Sequence, residues 1–200
     1  MLTIHLIRHG QKESHPGNPA LTPLGILQAQ QTGKYLTQFP ISEIISSPYK
    51  RTQETAQYIG KQLNLGFTTN ELLKERINWD STLISKETFL SEVTKTTNDR
   101  NYIPKWGDSS KSAGERIQKL IKSLDLKRKR HIVLISHGSV ITDFLRNIFK
   151  DEAIATLKKQ SDNGLHYQML NCAINTIVVT DRLTIKAINF VGHLKQISEF

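Results

Sequence analysis

The chain has 200 residues, 38% of them apolar, and a formal net charge of +9. That length suits a single domain with a sizeable core, and one cysteine, Cys172, excludes an intrachain disulfide framework. No apolar run approaches the ~20 residues of a membrane helix and the start does not resemble a signal peptide, so a cytoplasmic protein is expected.

Short β-rich runs alternate with helical patterns along the chain. Candidate strands are Thr3–Ile7, Glu43–Ser46, Gly66–Thr69, Ile132–Ser136, Ile174–Thr180 and Thr184–Asn189. Continuous apolar runs such as "IVLI" suit strands buried on both faces of a parallel sheet. The last two flank Asp181-Arg182 and fit an antiparallel hairpin. The first helix is predicted to start at Thr22-Pro23, a good N-cap followed by a first-turn proline. Ser47-Pro48 repeats that chemistry, with Ala56, Ile59 and Leu63 on one face of the helix that follows. Ser112 and Glu115 have capping-box spacing, ahead of a helical face of Ile117, Leu120, Ile121 and Leu124. Val140, Phe144, Leu145 and Ile148 mark another face after His137.

This alternation predicts an α/β fold: a three-layer α/β/α sandwich on a mostly parallel sheet. The stretch 76–111 fits least well. It holds both tryptophans, Trp79 and Trp106, with Lys86, Lys95, Arg100 and Lys105, and reads as a cap inserted within one domain spanning 1–200. The positive charge suits nucleic acid, a membrane surface or a phosphorylated substrate. Its densest run, Lys127-Arg128-Lys129-Arg130, reads as a solvated helix end. With no aromatic-interleaved basic ribbon, neither nucleic acid nor membrane is an expected partner. Cys172, beside the run "AINTIVV", reads as a small core residue.

Two stretches share a pattern that carries chemistry. "LIRHG" (6–10) and "LISHG" (134–138) both end an apolar strand on His-Gly. In an open α/β sheet, ligands bind beyond the carboxyl ends of the strands. Glycine lets the backbone approach a ligand, and a following helix N-terminus favours anions. Among seven histidines only His9 and His137 have this placement; His5, His15, His131, His166 and His193 read as structural. A third corner, "ISEIISSPYKRTQ", carries Arg51 in the first turn of its helix. If the corners converge, the imidazoles of His9 and His137 meet the guanidiniums of Arg8 and Arg51. That set suits a tetrahedral oxyanion, with histidine as a nucleophile. No carboxylate cluster has metal-site spacing, so no metal is expected.

These residues carry a family resemblance. "LIRHG", "ALTPLGILQAQ", "SSPYKRTQETA", "LISHGSVI", "NCAINTI" and "NFVGHL" come in the order found in the histidine phosphatase superfamily, which includes the cofactor-dependent phosphoglycerate mutases. The chain resembles that family over nearly all its length outside 76–111. The resemblance implies a covalent phosphohistidine on His9, with Arg8, Arg51, His137 and the Gly138 backbone on the phosphoryl oxygens and no cofactor. It also implies a glutamate that protonates the leaving group shortly after the third strand. Glu75 matches by position and Glu71 is its rival.

The departures fall on substrate contacts. Trp79-Asp80-Ser81 stands where the family often has Trp-Glu-Gly, and Gln11-Lys12 where it often has Glu-Thr or Glu-Ser. His15 occupies the place of a common asparagine, which leaves Asn18 and Gln11 as candidate substrate contacts. The implied activity is a phosphatase acting on a phosphorylated small molecule or phosphoprotein. The alternatives are a phosphoglycerate mutase-type phosphotransferase, for which the span from Glu75 to His137 is short, and a catalytically idle binder of phosphorylated ligands. Sequence leaves the substrate and the oligomeric state open.

Overall fold

The computed structural model describes residues 1–125, 130–159 and 167–195. Its strands are β1 (Leu2–Arg8), β2 (Ile41–Ser46), β3 (Thr68–Thr69), β4 (Arg130–Ser136), β5 (Ile174–Val179) and β6 (Leu183–Phe190). Its α-helices are α1 (Pro23–Leu36), α2 (Lys50–Leu63), α3 (Lys86–Asn98), α4 (Ser110–Ser123), α5 (Gly138–Phe149) and α6 (Ala155–Lys159). The strands form one sheet in the order β3-β2-β4-β1-β5-β6. β3, β2, β4 and β1 run parallel, while β5 and β6 form the antiparallel hairpin at the other edge.

The central strands are buried on both faces because their side chains feed two cores in alternation. Ile132 and Leu134 of β4 join Ile117, Leu120 and Phe144 of α4 and α5. Val133 and Ile135 point the other way, to Leu36, Ala56 and Ile59 of α1 and α2. Helices thus cover both faces, and the three-layer mostly parallel architecture is as expected.

Helix starts differ from the sequence reading in two places. Thr22 does cap α1, accepting from the Gly25 N–H at 3.0 Å. The N-cap of α2, however, is Tyr49, which makes no side-chain capping bond, because Ser47 lies too early and turns its hydroxyl to His137. The α4 cap is Ser109, whose Oγ accepts from the Ser112 N–H at 3.2 Å, so Ser112 lies inside the first turn and makes no capping box with Glu115. At the sheet edge β3 shrinks to two exposed residues paired with Ile45 and Ser46. Arg130 begins β4 and pairs with Glu43 at 3.1 Å, so it is not at a helix end; Lys127-Arg128-Lys129 lie outside the described residues, as does His166.

Candidate active site

Three parallel neighbours, β1, β4 and β2, end side by side, which brings the three corners together. Arg8 pairs in register with Ser136, and Ser46 with Ile135. His9 follows β1 and is held through its whole backbone. Its N–H donates to Ser136 O at 3.0 Å. Its carbonyl accepts from Cys172 N at 3.3 Å and Asn171 Nδ2 at 3.1 Å. The next N–H, of Gly10, donates to Thr55 Oγ1 at 3.1 Å. A side chain at Gly10 would put Cβ 2.5 Å from the Gly25 carbonyl, so glycine lets this corner lie against α1.

The tautomer of His9 follows from its partner. A carbonyl only accepts, so Nδ1, 2.7 Å from Gly10 O, carries the proton and Nε2 keeps the lone pair. Burial, then the charges of Arg8 and Arg51, hold its pKa well below the usual imidazole value. His9 is therefore a neutral, oriented imidazole at ordinary pH.

His137 is fully buried, and its ring lies edge-on to that of His9 with centroids 5.3 Å apart. Arg51 Nε donates to its Nδ1 at 3.2 Å. A guanidinium N–H only donates, so the neutral ring carries its proton on Nε2, which sits 2.8 Å from Ser47 Oγ. Burial first, then Arg51 and His9, keep this imidazole neutral as well.

Both guanidiniums have donors to spare. Arg8 Nη1 bonds the Met169 carbonyl and Arg51 Nη2 reaches Asn78 Oδ1 at 3.4 Å, yet Arg8 Nε and Arg51 Nη1 are buried with no partner. Buried donors of this kind cost stability unless something accepts from them. A phosphoryl group supplies such acceptors, in the geometry a guanidinium fork prefers. Lys12 adds to the positive field: burial, then Arg51 and Arg8, lower its pKa.

Glu75 joins this group from the segment after β3. One carboxylate oxygen accepts from the Arg76 N–H at 2.8 Å and from the Val140 N–H, in the first turn of α5, at 3.3 Å. Its charge acts on both Arg8 and Arg51. Glu71 instead is 71% exposed and pairs with Lys74. Gly138, the first residue of α5, sits against Arg8: a Cβ there would lie 3.5 Å from its side chain. Geometry thus gathers Arg8, His9, Arg51, Glu75, His137 and Gly138.

Gln11 and Asn18 have other partners. Gln11 Oε1 accepts from Thr22 Oγ1 at 2.8 Å, and Asn18 Oδ1 accepts from the Lys50 N–H at 2.7 Å, at the start of α2. Several contacts were not anticipated. Asn78 bridges Arg51 to Gly17 O at 2.9 Å. Tyr49 lies under the Arg51 guanidinium, 4.8 Å from its carbon, and edge-on to His137. Ser47, Thr55 and Asn171 fall inside segments already matched to the family motifs, and that was the signal available for them.

The segment 76–111 is fastened by charge. Arg76 Nη1 meets both oxygens of Asp143, on α5, at 2.9 and 3.0 Å, and both side chains are buried. Ser110 Oγ donates to the same carboxylate at 2.6 Å, while Arg76 Nη2 donates to Thr97 Oγ1 of α3 at 3.0 Å. Burial pushes the Asp143 pKa up to about 6 against the opposing pull of Arg76. Lys95 pairs with Glu92, Arg100 bonds Asn147 and the Asp143 carbonyl, and Lys105 stacks on Trp106. Among the described residues no group of three or more His, Cys, Asp or Glu side chains is arranged to hold a metal ion, and no helix is long and apolar enough to cross a membrane.

The family model of the histidine phosphatase superfamily (branch 1) matches residues 4–189, and the chain belongs to that superfamily. Among curated relatives, a probable phosphoglycerate mutase GpmB of Salmonella arizonae is 29% identical, covering 69% of this chain and 70% of its own. An uncharacterized phosphatase PhoE of Bacillus subtilis is 28% identical, covering 74% and 78%. Among solved structures, Bacillus stearothermophilus YhfR superposes with a TM-score of 0.76 at 18% identity, over 98% of this chain and 100% of its own. A mycobacterial glucosyl-3-phosphoglycerate phosphatase with inorganic phosphate gives 0.71 at 19% identity, over 96% and 98%. These structural likenesses bear on the fold.

Proposed function

We propose that this chain is a metal-independent phosphatase that hydrolyses phosphate monoesters through a phosphohistidine on His9. The observation that carries the reading is the fixed tautomer of His9. Its Nδ1–H is committed to Gly10 O, which leaves the Nε2 lone pair beside two guanidiniums with unpaired buried donors. Nε2 attacks phosphorus as the P–O bond to the leaving group breaks. Arg8, Arg51 and the Gly138 N–H meet the charge on the phosphoryl oxygens, joined by His137 once its one N–H turns from Ser47 to them. Glu75, as the acid, gives its proton to the departing oxygen. Water then attacks the phosphohistidine, the N–P bond breaks, and Glu75 takes the proton of the water. His9 returns neutral and orthophosphate leaves.

The test is chemical. A denatured reaction mixture should contain phosphate on His9, labile to acid and stable to base. His9→Ala should abolish turnover with the circular dichroism spectrum unchanged. Stoichiometric phosphate at another residue, or full activity without His9, contradicts the reading. The names of the curated mutase relatives favour a second reading, transfer between the hydroxyls of phosphoglycerate. Interconversion of phosphoglycerates dependent on 2,3-bisphosphoglycerate, outrunning phosphate release, would select it.

A further inference from the structure

A cleft of about 320 Å³ opens beside the phosphate pocket, lined by Glu75, Asn78, Tyr49 and Trp106 among others. It is continuous with that pocket, because Tyr49 also packs on Arg51 and His137, and Asn78 bonds Arg51. We propose that the cleft receives the leaving group, and that this group is uncharged and rich in hydroxyls, a sugar or polyol rather than an acid or a second phosphate. The proposal rests on the phosphatase reading above and adds the substrate class.

The charges in the cleft decide against an anion. Its carboxylates are Glu71, Glu75 and Asp108. Three cations also line it, but Arg76 is turned to Asp143 in the interior. Arg116 is committed as well: it donates to Leu72 O at 3.0 Å and Lys74 O at 2.9 Å, and pairs with Asp108 at 2.9 Å. Lys74 remains, and it pairs with Glu71. That pair is exposed and so is weakly held. An anionic leaving group that took Lys74 would leave the Glu71 and Asp108 carboxylates close by, and Glu75 too once ionised. Even with Glu75 protonated for the first step, the carboxylates Glu71 and Asp108 equal Lys74 and Arg116 in number, and each of these cations has its partner.

A neutral polyhydroxy group meets no such repulsion. Carboxylates accept from its hydroxyls, and Asn78 both donates and accepts. Tyr49 and Trp106 offer apolar ring surface to its C–H faces. Lys105 does not line the cleft; its ammonium lies 4.8 Å from the Trp106 ring.

The test compares primary alkyl phosphates, whose departing oxygens need the same help: glucose 6-phosphate, phosphoserine, 3-phosphoglycerate and fructose 1,6-bisphosphate. With the full chain, kcat/KM on glucose 6-phosphate should exceed the other three by roughly tenfold or more. Glu71→Lys, at an exposed position, should narrow the gap to 3-phosphoglycerate by about fivefold, since it exchanges a repulsion for an attraction. A wild-type preference for phosphoserine, 3-phosphoglycerate or the bisphosphate overturns the substrate class while leaving phosphohistidine chemistry standing. So does a Glu71→Lys variant of unaltered selectivity. Phosphate on His9 from none of the four overturns the phosphatase reading, and this proposal with it.

Discussion

The proposed phosphate pocket and the segment 76–111 are built by different means. The sheet register brings the strand ends that carry Arg8, His9 and His137 together, Arg8 beside Ser136 and Ser46 beside Ile135, while Arg51 comes from the helix after β2 and Glu75 from the segment after β3. Short-range chemistry then finishes the work, as when His9 donates to the carbonyl of the very next residue. The segment 76–111 takes no part in the sheet. It is fastened by one buried ion pair, Arg76 with Asp143, and by hydroxyls of Thr97 and Ser110 around it. It also carries Leu83, Leu90 and Ile103, which are among the chain's exposed large apolar side chains. On the proposed function the contrast separates two tasks: the sheet would fix what is done to phosphorus, and the fastened segment would help shape the cleft for what is attached to it.

Substitutions break this division at different points. Glu75 stands at the join, bonded to α5 on one side and followed directly by Arg76 on the other. Glu75→Gln should slow single-turnover phosphorylation of His9 by alkyl phosphates by ~10²–10⁴-fold, with a far smaller loss on p-nitrophenyl phosphate, whose leaving group needs no proton. Equal losses on both substrates would assign Glu75 a structural part, and the same dependence from Glu71→Gln alone would move the acid to Glu71. Arg51→Lys, wholly within the pocket, should cost ~10²–10³-fold on both substrates alike, because an ammonium cannot replace the fork. A loss confined to one substrate in that assay would place Arg51 in the cleft's work.

Asp143→Asn tests the fastening itself. It leaves the Arg76 charge buried without its counter-ion, and denaturant titration should show a loss of about 3 kcal/mol. An unchanged unfolding midpoint would mean that the segment is held by other contacts. The smallest effect is an absence of change. A nucleophile is lost as pH falls through its pKa, and burial with two guanidiniums moves that pKa for His9 well below 6.5. Phosphorylation by p-nitrophenyl phosphate should therefore stay flat from pH 7.5 to about 6, where a free imidazole would be mostly protonated. A fall in rate centred near pH 6.5 would show that His9 titrates like a solvent-exposed histidine.

The same contrast explains what could be read from the sequence. Strands, their mainly parallel order and the residues of the pocket were legible because they depend on local pattern: an apolar run, then Arg-His-Gly or Ser-His-Gly. The partners of those residues were less so. Sequence did not show that the Asn18 side-chain oxygen accepts from the first N–H of α2 or that the Gln11 side-chain oxygen accepts from the Thr22 hydroxyl. Serine with proline suggested a cap at Ser47, and capping-box spacing one at Ser112, yet Tyr49 and Ser109 hold those positions. The Arg76–Asp143 pair joins residues far apart in the chain, and no periodicity announces such a contact. Nor did the sequence show the partners of the cations in 76–111: Lys95 is engaged with Glu92, Arg100 with Asn147 and Lys105 with Trp106.

Cys172 has a practical consequence. It is fully buried, takes a left-handed backbone with φ 52°, and shares its N–H between the carbonyls of Arg8 and His9. Burial pushes its thiol pKa up to about 12. Alkylating and oxidising reagents act on thiolates, and this sulfur offers them almost none at neutral pH. Since Cys172 is the chain's single cysteine, the folded protein gives maleimide reagents a silent background. One cysteine introduced at the exposed Ile103 would then carry a fluorophore alone, reporting on the segment 76–111 while the proposed nucleophile, the His9 imidazole, stays untouched.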